Sequence, residues 1–171
     1  MSTTRPYAAD DRGPETGGSH PAAGAGSAAS GGDRRPEAPR RLALSGESGI
    51  VPLARDFTRQ ALRDWGWLPA ATADRRAAAE DVLLVVSELV TNACLHAGGP
   101  EELCILRDSK ALRLEVVDGG TGDPAPRTPH RAGRPGGHGM FIVQRLCLDW
   151  GVVRHGDRPG KTVWAELAAP Q

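Results

Sequence analysis

Residues 87–97, SELVTNACLHA, follow directly on VLLVV (82–86), one of the most apolar runs in the chain. Together they read as one helix, expected from about Asp74 to His96, with acidic residues early and the breaker Gly98-Gly99-Pro100 after it. Along this helix Glu88, Asn92 and His96 recur every fourth residue, the spacing that stacks side chains on one face. A helix largely buried in a core has no evident use for a carboxylate, a carboxamide and an imidazole in one row. One reading is a solvent-facing stripe on an amphipathic helix. The other is chemical. Asn92 would offer its carboxamide oxygen to Mg2+, a hard cation that takes few ligands from protein and the rest from water and phosphate. Glu88, one turn earlier, would act as general base on a hydroxyl or water near the same phosphate.

Outward from this helix the pattern stays regular. RLALS (41–45) alternates like a short strand, and IVPLARDFTRQALRDW (50–65) carries Leu53, Phe57, Ala61 and Trp65 at helical spacing before Gly66. ELCILR and ALRLEVV read as strands joined by the turn Asp108-Ser109-Lys110. After the loop DGGTGDPAPRTPHRAGRPGGHG (118–139), GMFIVQRLCLDWG (139–151) reads as a helix, and VVRHG and KTVWAELA as a closing hairpin. The order β-α-α-β-β-loop-α-β-β predicts an α+β fold, a mixed sheet with helices on one face.

The 171 residues suffice for one domain with a substantial core. Their 21 basic and 21 acidic residues cancel, giving no overall pull toward nucleic acid or an anionic membrane surface. Residues 1–40 contain no Leu, Ile, Val, Phe or Trp and read as a Gly/Ala/Pro-rich disordered tail, leaving 41–169 as the domain. They lack the apolar segment of a secretory signal, and no run has the length of a membrane span. Cys94, Cys104 and Cys147 form no close pair or metal-ligand spacing, which points to free thiols and a cytoplasmic setting.

Two further motifs carry chemistry. In DGGTG (118–122) the Asp-Gly pair after an apolar strand is a hairpin signal, yet a proline-rich loop follows where a partner strand belongs. Asp118 could instead accept a hydrogen bond from an exocyclic amine such as that of adenine, with Gly120 and Gly122 letting backbone approach a flat ring. In GGHGM (136–140) glycines opening a helix present backbone N–H groups to an anion, although a plain N-terminal loop reads the same way. Other resemblances fail. GDRPGKT (156–162) is one residue short of a phosphate-binding Walker loop and leads into a strand, not a helix. SGESG does not match the nucleophile-elbow spacing, and the five histidines are dispersed.

The order Glu-x-x-x-Asn on a helix, Asp-x-Gly-x-Gly after a strand and Gly-x-Gly opening a helix resembles the Bergerat-fold (GHKL) ATPases, the superfamily of gyrase and histidine kinases, over about residues 41–168. SELVTNACLHA looks like the N box, VVDGGTGDP and GGHGMFIV like the two glycine boxes, and GKTVWAEL like the final strand. The resemblance implies a two-layer α/β sandwich, and it makes the long polar loop a lid over the phosphates. Within the superfamily the chain resembles the small anti-sigma factor serine-protein kinases, particularly the short actinobacterial type with an LxxWG-like segment near Trp65.

What that implies is ATP- and Mg2+-dependent phosphorylation of a serine on a STAS-domain anti-anti-sigma partner, together with sequestration of a sigma factor. Relatives commonly dimerise, and no direct contact with nucleic acid or membrane is implied. The alternative is a nucleotide-binding or degenerate interaction module that regulates transcription without kinase activity. Carried over residue by residue, Glu88 is the base and Asn92 the magnesium ligand. Asp118 reads the adenine amine, with Gly120 and Gly122 giving access. Gly137, His138, Gly139 and Met140 form the phosphate-binding turn, and Thr162 supports the adenine end. Arg127, Arg131 and Arg134 in the lid could meet the terminal phosphate. His138 and Met140 stand where the family more often has Arg and Leu.

Overall fold

The computed structural model describes residues 37–122 and 139–170. In chain order they form β1 (Arg40–Ala43), α1 (Ile50–Asp64), α2 (Ala73–His96), β2 (Pro100–Arg107), β3 (Ala111–Asp118), α3 (Gly139–Leu146), β4 (Asp149–Arg154) and β5 (Lys161–Ala168). The class is α+β, as expected. The residues given to the tail before position 37 lie outside the described residues.

Everything is built around α2. Thr72 caps it, its hydroxyl accepting the Arg75 N–H at 3.2 Å, and Asp74 in the first turn complements the helix dipole. Val82, Leu83, Val85, Val86, Leu89, Val90 and Ala93 are all buried. A helix apolar around most of its girth needs cover on several sides. The sheet lies beneath it while α1 and α3 flank it. Each buried Val or Leu contributes about 1.5–3 kcal/mol relative to exposure, so this helix carries much of the core.

Helix α1 is tied to α2 by Arg55, whose guanidinium donates to the Leu83 carbonyl (3.0 Å) and the Ser87 hydroxyl (2.6 Å). The LxxWG segment is the stop of α1. Gly66 takes φ +72°, its N–H bonding the Arg63 carbonyl and the Trp67 N–H the Leu62 carbonyl, both at 2.9 Å. This is the Schellman closure, which needs a residue tolerant of left-handed backbone one step past the helix. Trp65 lies within cation–π range of Arg40 and Arg107, at 5.0 and 5.6 Å.

The strands follow the order β1-β2-β3-β5-β4. Every pairing is antiparallel, which corrects the expectation of a mixed sheet. The parallel-running strands β3 and β4 never become neighbours, because β5 inserts between them. Strict alternation separates the two faces. Leu112, Leu114 and Val116 on β3 and Val163, Ala165 and Leu167 on β5 are buried toward the helices. On the opposite face Arg113 pairs with Glu115 and Glu166 and lies 4.0 Å from the Trp164 ring centroid.

A second correction concerns residues 147–151. The helix expected to run to Gly151 ends at Leu146, and Asp149-Trp150-Gly151 belong to β4. The Leu148 N–H already bonds the Glu166 carbonyl at 2.7 Å, so the chain has joined the sheet edge by then. All three cysteines are free thiols. Burial, with the nearby Asp81 carboxylate, pushes the Cys147 thiol up to about 12, which keeps it protonated and unreactive at neutral pH.

Candidate functional site

Two clusters of sequence-predicted residues form along α2, one against the head of α3 and the other against the end of β3. In the first, Glu88 and Asn92 sit one turn apart on α2, both half-buried, while His96 is exposed at the helix end. Gly139, the first residue of α3, lies directly against Glu88: a methyl group there would come within 2.5 Å of Glu88 Oε2. Glu88 and Gly139, 51 positions apart in sequence, are thus in contact. Asn92 has no intraprotein hydrogen bond among the described residues, leaving its carboxamide oxygen available to a ligand.

The second cluster forms at the end of β3. Asp118 is 1% exposed. Its Oδ1 accepts the Gly120 N–H at 2.9 Å and the Lys161 ammonium at 2.7 Å. Lys161, itself 3% exposed, is the direct cross-strand partner of Asp118 and also donates to the Gly120 carbonyl at 3.3 Å. Each partner is stabilised mainly by the other, since a buried charge of either sign is tolerable only when paired and hydrogen-bonded.

The glycines divide sharply. A Cβ on Gly120 would stand 2.6 Å from the Ala97 Cβ at the end of α2, so only glycine allows the strand end to dock there. Gly160 takes φ +116°, and a Cβ on it would meet the Asp118 carbonyl at 2.4 Å. Gly122, by contrast, is exposed with nothing near its missing side chain.

Two assignments change. Thr162 does not face the cluster. It sits on the opposite face of β5 from Lys161, with its hydroxyl 3.0 Å from His155 Nε2. The β5 residue that faces Asp118 is Lys161. Met140 is 4% exposed within the hydrophobic core, so its side chain serves packing, and only its backbone remains for a phosphate. Gly137, His138, Arg127, Arg131 and Arg134 lie outside the described residues.

Lys161 and Gly160 were missed by sequence reasoning, although a signal was present. In KTVWAELA the alternate residues Val163, Ala165 and Leu167 are inward, and the same register sends Lys161 inward, level with Asp118. A lysine in an inward register is a stronger sign of function than the loop resemblance that first drew attention to GKT.

Two cavities open elsewhere. One of about 390 Å³ lies among Asp74, Asp81, Leu146 and Leu167, and one of about 250 Å³ lies among Leu44, Ile50, Ala97, Glu101 and Gly119. Neither includes Glu88, Asn92 or Asp118. Among the described residues no cluster of three or more His, Cys, Asp or Glu could hold a metal ion, and no helix is long and apolar enough to cross a membrane.

The residues present suit a purine nucleotide. There is a buried carboxylate at one end, a glycine that a Cβ would displace from its contact beside it, and a carboxylate and carboxamide one helical turn apart at the other. A family model for the histidine kinase-like ATPase domain matches residues 45–167, and the chain belongs to that family. Membership implies ATP binding and an activity of the kinase or ATPase kind. No curated protein matches the chain.

Proposed function

We propose that the protein is an ATP- and Mg2+-dependent protein serine kinase that acts on a STAS-domain partner and also sequesters a sigma factor. The observation that carries the kinase reading is the Glu88 carboxylate set against Gly139 at the head of α3. A base must stand within reach of the hydroxyl it deprotonates, beside the phosphate that hydroxyl attacks. A helix N-terminus opening on glycine is where that phosphate would be held.

In this reading Asp118 accepts a hydrogen bond from the exocyclic amine of adenine, and Gly120 lets the strand end lie close to the base. The Asn92 carboxamide oxygen would hold Mg2+, with the other ligands coming from phosphate and water. The bound ion would neutralise charge on the phosphates. Glu88 would take the serine proton as the serine oxygen bonds to the γ-phosphorus and the bridging P–O bond breaks, ADP leaving. The choice of a serine on a STAS-domain acceptor, and of a sigma factor as the sequestered partner, is supported by the sequence resemblance.

The test is transfer of label from γ-labelled ATP, with Mg2+, to STAS-domain proteins encoded in the same genome. Acid-stable phosphoserine that disappears with Glu88→Ala, while ATP still binds, is the expected result. An acid-labile phosphohistidine product would overturn the serine assignment. Nucleotide binding without transfer to any STAS-domain protein would leave a regulator that acts by binding alone.

A further inference from the structure

We propose that Lys161 is a base-reading residue, donating a hydrogen bond to the ring nitrogen that adjoins the adenine amine while Asp118 accepts from the amine itself. This rests on the nucleotide-binding reading above and specifies how the base is chosen.

The argument starts from counting bonds. An ammonium has three N–H donors. Lys161 commits one to Asp118 Oδ1 at 2.7 Å and one to the Gly120 carbonyl at 3.3 Å. One donor remains. Asp118 Oδ1 is already used by two donors, the Lys161 ammonium and the Gly120 N–H, whereas Oδ2 carries no intraprotein hydrogen bond among the described residues. The pair therefore presents one open acceptor, Oδ2, next to one open donor, on Nζ. Both groups are almost wholly buried, at 1% and 3% exposure, so bulk water can satisfy little of what is left.

Adenine carries the complementary edge, with an N–H donor on the C6 amine beside the N1 acceptor. Guanine in the same pose sets its C6 oxygen against Asp118, acceptor against acceptor. The backbone holds the pair in place. Asp118 and Lys161 are register partners at the end of an eight-residue ladder, and Gly160 and Gly120 admit approaches that a Cβ would block. A lysine needed only to balance Asp118 would leave the ring nitrogen unread.

The experiment is calorimetric titration of the full chain with Mg-ATP and with 1-deaza-ATP, in which C–H replaces the ring nitrogen. Wild type should bind 1-deaza-ATP roughly tenfold to a hundredfold more weakly, the worth of one hydrogen bond from a charged donor. Lys161→Met should bind the two alike, and Lys161→Gln, which keeps a donor there, should retain part of the preference. A measurement on wild type alone guards against a Lys161→Met protein that does not fold. The Lys161 side-chain ¹⁵N resonance should move on adding ATP and stay in place with 1-deaza-ATP.

Equal affinity of wild type for both nucleotides overturns the lysine assignment and leaves nucleotide binding intact. A gap that persists in folded Lys161→Met does the same. Failure of wild type to bind ATP at all overturns the nucleotide reading, and the lysine assignment with it.

Discussion

The two ends of the candidate site are built differently. At the β3–β5 end, Asp118 and Lys161 are buried, bonded to each other and locked by the register of neighbouring strands. At the α2–α3 end, Glu88 and Asn92 are half-buried on a helix, and Glu88 meets α3 through the single missing side chain of Gly139. Placing Asp118 and Lys161 in a sheet makes them part of the core, so their loss is felt as lost stability. Groups on the rim of a helix can be changed with little effect on folding and a large one on chemistry. On the proposed reading, recognition of the base would be insulated from what happens at the phosphates.

The sharpest break is Glu88→Gln, which keeps the shape and removes the base. Phosphoryl transfer to the acceptor serine should fall by about 10²–10⁴-fold with ATP affinity little changed. A parallel loss of affinity by calorimetry would show that the two ends are not separable. Lys161→Met tests the opposite end. It leaves Asp118 as a buried, unpaired carboxylate and should lower stability by about 3–5 kcal/mol, read from the urea midpoint. A midpoint like that of wild type would mean that water reaches Asp118 freely.

Three glycines refine the contrast. Gly120→Ala forces a Cβ against Ala97 and should cost about 1–3 kcal/mol in urea unfolding. Gly122→Ala, with open space around it, should stay within about 0.5 kcal/mol. Gly139→Ala should cost the fold less than Gly120→Ala, since the nearest atom it meets is the far end of the Glu88 side chain and not backbone. Displacing that carboxylate should still slow transfer by about tenfold in a single-turnover assay. An unchanged rate would remove Gly139 from the positioning of Glu88.

What the sequence disclosed follows from the range of its signals. The period of α2, the stop at Gly66 and the turn at Asp108 are local patterns, and each was legible. The Asp108 carboxylate accepts the Lys110 and Ala111 N–H groups at 2.6 and 2.8 Å, and those bonds hold it below its ordinary range. The neighbours of β5 were not legible, because periodicity says which residues face inward and nothing about which strand lies alongside. The end of α3 was misread for a related reason. Leu146, Cys147 and Trp150 are all half-buried against the core, and helix and strand both satisfy that.

Spacing singles out Glu88, Asn92, Asp118 and Gly120 as candidates, and the structure sets Glu88 against Gly139 and Asp118 against Gly120 and Lys161. Thr162 comes from the resemblance, whose final strand carries a threonine, and only the Asp118–Lys161 register shows which β5 residue faces the cluster. Met140 shows the same limit. An apolar residue opening a helix can line a ligand or fill the core, and here it fills the core.

The place of β5 has a consequence for how the protein comes into being. A ribosome releases β1, β2 and β3 early, and these can pair as a three-stranded sheet. Strand β4 follows with no neighbour to join. Only when residues 161–168 emerge can β5 slide between β3 and β4, tie the two parts together and deliver Lys161 to Asp118. Until that moment a nascent chain holds a carboxylate without its counter-ion and a sheet with an open edge, the state most exposed to mispairing with another chain.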